Sequence, residues 1–394
     1  MFERSSRALP LLIGTSTLAT LSVGLAFVVG PPADPPAAPE RVLPGRFLAA
    51  PQSPQSSDGI VAPLKERLTP HLLVSAPSSL PQDVVAKVRA LKDVRAAEVA
   101  DAARTAFAGS RVGLLGIDPS TFRNYTPRPT AQSDALWRNV AAGDIAVSFT
   151  LGTDGAVRLG SQTPIGGTGS RPQRTIRVGA LATMGISDVD AVVSRDTARE
   201  LGLPTGNALL ISARSSDPGS LTSRLRKLLP RQAKIVGLAG LDERTGASVG
   251  QLPDARGQVL TARQTRVAIQ AAMSKLGMPY VWGGESDAEG GYDCSGILQY
   301  AFGKAGVRLP RVAADQARTG RAVPFGEARP GDLLTWAHDP TAPGYISHIA
   351  LYLGKGRMLA APRRGTFVRV QPVYFVNFKG AIRINPRLAA RLAG

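Results

Sequence analysis

The feature that most constrains this chain is its single cysteine, Cys294, because 394 residues with one thiol must fold without an internal disulfide. The same count excludes a metal site built from several cysteines. Stability must therefore come from hydrophobic cores, and the length suffices for two or three domains. The thiol itself either packs in a core or reacts.

The residues around Cys294 predict that it lies in the first turn of a helix. The sequence Gly-Tyr-Asp-Cys-Ser-Gly is followed by apolar positions that predict an amphipathic helix over Ile297–Ala305. Asp293 is a suitable N-cap and Gly306 a suitable C′ residue. Unpaired N–H groups and the helix dipole at this position lower the pKa of a thiol. A free cysteine is also a common small core residue, so both interpretations stay open here.

The N-terminal segment, residues 1–30, predicts export. Arg4 and Arg7 precede an apolar run from Ala8 to Gly30, long enough for a bilayer, which takes about 20 residues. The run is longer than an ordinary signal-peptide core, and no small-x-small cleavage site precedes Pro31. We therefore favour an uncleaved signal-anchor over a cleaved signal peptide. Positive residues before the run place the rest of the chain outside the cytoplasmic membrane.

The chain is strongly basic, with 47 Lys and Arg against 29 Asp and Glu and a formal net charge of +18. Such an excess suits an anionic partner: nucleic acid, an acidic lipid surface or an acidic cell-wall polymer. The basic residues are dispersed and only 5% of residues are aromatic, so no base-stacking surface is expected. Export also argues against nucleic acid. Heavy use of Ala, Arg, Gly and Pro is typical of a GC-rich bacterial genome.

Composition divides the chain into five segments. After the hydrophobic segment 1–30, residues 31–62 are a Pro- and Ala-rich linker. Residues 63–241 alternate short apolar runs with helical patterns and predict a mixed α/β accessory domain. Residues 242–260 are a second linker. Residues 261–394 place helices first and strands after, which predicts an α+β domain.

The accessory domain contains no recognisable nucleophile–base pair, metal cluster or phosphate-binding loop. Its apolar patterns predict strands at Leu72–Val74, Val112–Ile117, Ile145–Leu151, Ala208–Ala213 and Lys234–Leu238, and helices at Pro81–Leu91, Thr197–Leu201 and Leu221–Leu229. Two stretches, 85–99 and 196–213, are faintly similar to the extracellular core domain of MacB/FtsX-type permeases. That similarity implies a recognition or regulatory role.

A catalytic thiol needs a base, usually histidine, and the C-terminal domain has two. His338 lies in a turn-like stretch and is interpreted as exposed. His348 lies on a predicted strand, Ile346–Leu353, and shares one face with Ala350 and Tyr352. A sheet laid across the cysteine helix could bring His348 against Cys294. The alternative is a surface histidine on a half-exposed sheet.

The C-terminal domain resembles the NlpC/p60 family of bacterial cell-wall cysteine peptidases over about Val267 to Asn385. Five pieces carry the resemblance, in order: Pro279-Tyr-Val-Trp-Gly-Gly284; Tyr292-Asp-Cys-Ser-Gly296; Leu309-Pro-Arg311 with Gln316; Pro330-Gly-Asp-Leu333; and Ser347-His-Ile-Ala-Leu-Tyr-Leu-Gly354. The fold it implies is papain-like, with a helix packed on an antiparallel sheet.

The resemblance also implies roles for individual residues. Cys294 is expected as the nucleophile and His348 as the base, while Tyr280 lines the site and positions substrate or stabilises the oxyanion. The backbone N–H of Cys294 is a natural second oxyanion donor. The expected reaction is thioester-mediated hydrolysis of amide bonds in peptidoglycan stem peptides, often between D-glutamate and the diamino acid. No metal or organic cofactor is expected.

The chain departs from the family pattern at one position. Family members usually carry a polar third residue, often His, on the strand after the base strand, and here that position is Ala360. Alanine cannot hold the imidazole tautomer. A backbone carbonyl, a water or a side chain such as Gln371 takes that role, or the enzyme is slow or inactive.

Three functions therefore stay open: an exported wall endopeptidase, a non-catalytic wall-binding or regulatory protein, and another acyl transfer such as lipid or amine acylation. Peptidoglycan and anionic wall polymers are the expected partners. Residues 63–241 are a candidate surface for a membrane or divisome-type protein, or a restraint on the enzyme. The expected location is the outer side of the cytoplasmic membrane or the cell wall.

Overall fold

The computed structural model describes residues 48–52, 60–167, 172–214, 219–238 and 259–393. The predicted hydrophobic segment 1–30 lies outside this part of the chain, as do most of the two predicted linkers. Within the described ranges no helix is both long and apolar enough to cross a bilayer. The described residues all belong to one compact unit that spans 41–394. The division at residues 242–260 stays a prediction.

The described residues between 48 and 238 are called the first half of the chain, and those between 259 and 393 the second half. Nine strands of the first half form one sheet. The strands are β1 (Leu72–Ser75), β2 (Val94–Phe107), β3 (Ser110–Ile117), β4 (Ile145–Val147), β5 (Gln162–Ile165), β6 (Arg174–Leu181), β7 (Ala191–Ser194), β8 (Ala208–Ala213) and β9 (Lys234–Gly237). Their order is β3-β7-β4-β6-β5-β2-β8-β1-β9, and β2 also pairs with β3. Six strands therefore close into a barrel, from which β8, β1 and β9 extend as an open sheet.

Strand β2 joins the barrel to the open sheet. Its N-terminal part pairs with β8, and its C-terminal part pairs with β3 and, at Phe107, with β5. Six of its 14 residues are Ala, the residue with the highest helix propensity. Tertiary pairing along both edges overrides that preference. The barrel interior is filled by fully buried apolar side chains such as Phe107, Ile145 and Val178.

The described residues of this half also form seven helices. They are α1 (Gln82–Arg89), α2 (Pro119–Phe122), α3 (Arg128–Gln132), α4 (Asp134–Ala141), α5 (Phe149–Leu151), α6 (Arg195–Glu200) and α7 (Gly219–Leu228). The single strand predicted over Ile145–Leu151 is wrong beyond Val147. Ser148 caps α5 by accepting the Leu151 N–H at 3.3 Å, and this local bond ends the strand.

The second half, which confirms the predicted α+β class, contains a hairpin, a six-stranded sheet and four helices within its described residues. The hairpin strands are β10 (Glu285–Ser286) and β11 (Gly291–Tyr292), and the sheet strands are β12 (Gly320–Val323), β13 (Leu333–Trp336), β14 (His348–Gly354), β15 (Arg357–Ala360), β16 (Arg369–Pro372) and β17 (Phe378–Ile384). The sheet order is β12-β17-β13-β14-β15-β16, antiparallel throughout. The helices are α8 (Ala262–Met273), α9 (Cys294–Lys304), α10 (Ala313–Gln316) and α11 (Pro386–Leu392).

Helices α8 and α9 cover one face of this sheet. Ile297, Leu298 and Phe302 of α9 share a fully buried core with Ile349 and Leu351 of β14. The opposite face carries a second apolar cluster that includes Trp336 and Ala360. Burial on both faces explains why β14 is an almost continuous apolar run.

The start of α9 is fixed by a close backbone approach. A Cβ placed on Gly296 would lie 2.0 Å from the carbonyl oxygen of Gly284. Only glycine fits there, so the helix start rests directly on the loop 279–284. This contact positions residues 279–284, called the tyrosine loop because they include Tyr280, beside Cys294.

Candidate active site

Cys294 is the first residue of α9 and therefore lies in the first turn of the helix, as the sequence predicts. Asp293 is the N-cap, and its Oδ1 accepts the N–H of Gly296 at 2.7 Å. The cap leaves Cys294 at the end of the helix where N–H groups are free. The side chain of Cys294 is partly buried.

Arg311 braces the cap. Its Nη2 lies 2.7 Å from Asp293 Oδ2 and its Nη1 lies 3.0 Å from Asp293 Oδ1, which makes a two-pronged ion pair. Asp293 Oδ2 also accepts the Gly283 N–H at 3.0 Å. One carboxylate therefore connects the helix start, the tyrosine loop and the Leu-Pro-Arg motif. The sequence located these motifs but did not predict that they share one ion pair.

The thiol of Cys294 is held in its neutral form. Burial, with a smaller contribution from the negative charge of Asp293, raises the pKa of Cys294 to about 12. The backbone N–H groups of Ile349 and Ser295 and the charge of Arg311 act in the opposite direction. The helix start acts in the predicted direction, but the expected net lowering of this pKa is wrong, because burial outweighs the N–H groups.

His348 is the first residue of β14, and its backbone pairs with Trp336 of β13. Helix α9 packs on the Ile349 side of the strand, whereas the alternate residues after His348 belong to the opposite cluster. Cys294 therefore meets the start of β14 at the N–H of Ile349, one residue from His348, rather than under the face of the sheet.

The imidazole of His348 is buried among other rings. Its centroid lies 5.5 Å from the Trp336 ring and 6.2 Å from the His338 ring. Burial lowers the pKa of His348 to about 3, with a smaller contribution from the charge of His338. A neutral imidazole is the form that can accept a proton from a thiol.

His338 is half-buried beside His348, so the prediction of an exposed side chain is wrong. Its Nε2 lies 3.2 Å from the hydroxyl of Tyr374, and its Nδ1 lies 3.4 Å from the amide nitrogen of Asn377. Burial raises the pKa of Tyr374, and a smaller contribution comes from Cys294. No sequence signal indicated this network, because the loops after β13 and β16 meet only in the folded sheet.

The position expected to carry the third residue, Ala360, is fully buried in the apolar cluster on the side of the sheet away from α9. Gln371, the candidate replacement, is opposite Met358, which is in turn opposite Tyr352. It lies about 14 Å along the sheet and about 10 Å across it from His348. Its Oε1 accepts a bond from Arg369 at 2.8 Å. The structure thus does not bring Gln371 to His348.

Tyr280 is 9% exposed and lies beside both Cys294 and the first half of the chain. Its backbone N–H bonds to the carbonyl of Thr366 at 2.8 Å. Burial raises the pKa of its hydroxyl well above the usual range, and the charges of Asp154 and Cys294 raise it further. Tyr280 is therefore a neutral hydroxyl that can donate a hydrogen bond. Among the described residues no cluster of side chains is suited to hold a metal ion.

Comparison with known proteins gives a consistent family match. The model of the NlpC/P60 family matches residues 277–382. Peptidoglycan endopeptidase RipB of Mycobacterium tuberculosis is 41% identical over 141 residues, which cover 33% of this chain and 54% of RipB. Gamma-D-glutamyl-L-lysine dipeptidyl-peptidase of Bacillus subtilis is 41% identical over 102 residues, which cover 26% of this chain and 33% of that protein.

A solved structure is also similar in sequence. RipD of Mycobacterium tuberculosis, described as a non-catalytic NlpC/p60 domain protein adapted to peptidoglycan binding, is 32% identical with a TM-score of 0.27. The match covers 32% of this chain and 100% of that chain. The present chain spans only 54% or less of the length of the two curated relatives named above. Residues 277–382, which contain Tyr280, Cys294, His348 and Ala360, are an NlpC/P60 family domain.

Proposed function

We propose that this chain is a peptidoglycan hydrolase that cleaves an amide bond of the stem peptide by a cysteine–histidine mechanism. The observation that carries the proposal is the position of Cys294 at the capped start of α9, against the N–H that follows His348. The name of the Mycobacterium tuberculosis relative, a peptidoglycan endopeptidase, supports the substrate class.

The proposed reaction proceeds by acyl transfer. His348 takes the thiol proton, and the sulfur of Cys294 attacks the carbonyl carbon of the substrate. The N–H of Cys294 and the hydroxyl of Tyr280 donate hydrogen bonds to the resulting oxyanion. When the C–N bond breaks, His348 protonates the leaving amine and a thioester remains. His348 then activates water, which attacks the thioester and restores the thiol with release of a carboxylate.

The bond that we propose lies between D-glutamate and the diamino acid. The Bacillus subtilis relative, named for γ-D-glutamyl-L-lysine, supports this choice. Digestion of purified peptidoglycan with the full chain, followed by mass spectrometry, is expected to yield stem peptides with new ends at this bond. Cys294→Ala serves as the control and is expected to yield none. Equal products from the two proteins would refute the cysteine mechanism.

A second candidate is a wall-binding protein without efficient chemistry. The observation that favours it is Ala360, which is buried among apolar side chains where a polar partner for the imidazole is expected. Sedimentation of the chain with insoluble peptidoglycan, without new stem-peptide ends, would support this second function. Acyl groups transferred to an added amine would instead indicate a different acyl transfer.

We further propose that the protein acts outside the cytoplasmic membrane. The basic residues before the apolar run Ala8–Gly30 support this orientation, and a net charge of +18 favours approach to anionic wall polymers. Cell fractionation combined with the mass of the mature protein tests the location and distinguishes the signal-anchor from the cleaved signal. A protein found only in the cytosol would contradict the proposal.

A further inference from the structure

Asp154 belongs to the first half of the chain but contacts the loops of the candidate active site. It lies in the turn that follows α5, and its Oδ1 accepts the backbone N–H of Arg364 at 3.2 Å. The hydroxyl of Tyr280 approaches the same carboxylate and lowers its pKa. One acidic side chain therefore meets the tyrosine loop and the loop before β16.

The cost of burying the Asp154 carboxylate is only partly compensated by neighbouring donors and positive charges. The pKa of Asp154 is raised to about 6, because burial outweighs the Arg364 N–H, the charges of Arg364 and Arg363 and the Tyr280 hydroxyl, which lower it. Its Oδ2 is buried and has no hydrogen-bond partner among the described residues. The carboxylate thus enters a site that offers hydrogen-bond donors and positive charge but little water.

Further residues of the first half contact the tyrosine loop and its neighbours. The guanidinium of Arg364 donates to the hydroxyl of Ser110. Trp282 packs against the barrel core as well as the core around α9. Gly283 has a φ of +74°, and a Cβ there would lie 3.2 Å from the carbonyl oxygen of Arg111. The loop next to Cys294 is therefore covered by β3 and its neighbours.

A second set of contacts lies at the loop that precedes His348. The hydroxyl of Thr341 accepts the N–H of Thr183 at 3.0 Å, and the Thr130 hydroxyl donates to the Thr341 carbonyl at 3.4 Å. The first half of the chain thus holds the loops on both sides of the Cys294–His348 pair.

We propose that the first half of the chain is a built-in inhibitor of the cysteine site, held in place by Asp154. Its carboxylate occupies a subsite, formed by the Arg364 backbone N–H and the charges of Arg363 and Arg364, that otherwise binds a carboxylate of the peptide substrate, and it also takes up the Tyr280 hydroxyl that the oxyanion needs. Substrate and Asp154 therefore compete, and activity requires displacement of the covering residues. The substrate part of this inference rests on the proposed function.

The chain offers a direct assay, because Cys294 is its only thiol. The rate of alkylation by iodoacetamide therefore reports access to the candidate nucleophile alone. We expect Asp154→Ala in the full chain to react faster than the natural sequence. Asp196→Asn, which alters an exposed carboxylate paired with Arg199 within α6, is the matched control and is expected to change nothing.

The size of the effect follows from the ionisation of the thiol. With a pKa of about 12, roughly one thiol in 10,000 is ionised at about pH 8, against roughly a quarter for a free thiol of pKa about 8.5. The lower nucleophilicity of the less basic thiolate offsets about half of this difference on a logarithmic scale. We therefore expect alkylation of Asp154→Ala to be roughly 50-fold faster if the site opens fully.

A second variant tests the same contacts in case Asp154→Ala does not fold. Ser110→Ala removes one contact to Arg364 and keeps Asp154, so a smaller acceleration is expected. Circular dichroism confirms that each variant is folded. If the folded Asp154→Ala and Ser110→Ala proteins both alkylate at the rate of the natural sequence, the proposal is overturned.

The carboxylate subsite has its own probe. Glutarate, a dicarboxylate, is expected to slow alkylation of Asp154→Ala, whereas glutaramide, its neutral isostere, is not. In the natural sequence neither compound is expected to act, because Asp154 fills the site. Equal protection by the two compounds, or none by either, would overturn the assignment of the subsite.

The same proteins separate this inference from the proposed function. Faster alkylation of Asp154→Ala without peptidoglycan products in any variant would uphold the inhibitor and refute the hydrolase. Equal peptidoglycan cleavage by the natural sequence and Asp154→Ala, with equal alkylation, would uphold the hydrolase and refute the inhibitor. More cleavage by Asp154→Ala is the result expected if both are right.

Discussion

Removal of the guanidinium of Arg311 is the sharpest test of how the site is held together. Asp293 and Arg311 are 13% and 19% exposed in their side chains, so the charges are largely removed from water. Arg311→Gln leaves the Asp293 carboxylate buried with only backbone and hydroxyl donors. Breaking a buried pair from one side costs about 3–5 kcal/mol of unfolding free energy.

The double variant of Asp293 and Arg311 separates the effect of the buried charges from the effect of the altered side-chain shapes. Asparagine is as good an N-cap as aspartate, so Asp293→Asn preserves the start of α9 while removing the charge. With Arg311→Gln added, no buried charge remains, and the combined loss is expected to be about 2 kcal/mol smaller than the sum of the two single losses. Removal of Asp293's charge also lowers the pKa of Cys294, since that charge raises it.

The assay is equilibrium unfolding of the full chain in urea for the four proteins of this cycle, with the same protein concentration and buffer. Additive losses in the double variant would show that the two side chains are not coupled. A loss below about 1 kcal/mol for Arg311→Gln would show that the ion pair behaves as an exposed one. Either result would refute the reasoning, because the coupling depends on burial.

Three further predictions address the thiol and its base. Because the pKa of Cys294 is about 12, the alkylation rate of the natural sequence is expected to rise about tenfold per pH unit from neutral pH, with no plateau below about pH 11. The rate is measured by mass spectrometry of samples quenched at successive times. A plateau near pH 8 would contradict the burial of the thiol. Ala360→Glu introduces a polar side chain on the strand beside His348, and kcat for stem-peptide cleavage is expected to increase about tenfold or more relative to Ala360→Leu. Gln371→Ala is expected to leave kcat within about twofold of the natural value, since Gln371 is two strands away from His348; a larger loss would contradict the register.

Local sequence signals predicted the elements whose stability is local. Thr261 and Gln264 have the three-residue spacing of a capping box in the sequence. The structure contains this box, with N–H bonds of 3.0 and 3.1 Å, and α8 begins directly after Thr261. Strand β8 occupies the predicted residues Ala208–Ala213, a short and mostly apolar run that is buried throughout. Strand β2 was not predicted, because its Ala-rich sequence favours helix and only its partners on both edges make it a strand.

The residues of the candidate active site likewise fall into those that the sequence predicted and those that it did not. The sequence identified Tyr280, Cys294 and His348 as candidates, and the structure places Tyr280 beside Cys294 and Cys294 against the N–H of Ile349, the residue after His348. It did not predict His338, Tyr374 or Asp154, whose contacts join segments far apart in the chain. Long-range contacts of single polar residues leave no periodic pattern that a sequence can show.

The sequence by itself determined that Cys294 begins a capped helix and that residues 277–382 form an NlpC/P60 domain, because caps, periodicity and motifs are local properties. Only the tertiary structure decided the state of the thiol. The helix start favours a thiolate, but burial in the folded chain, together with the charge of Asp293, raises the pKa of Cys294 to about 12. Desolvation depends on everything that surrounds a group, so it emerges only when the whole chain is folded.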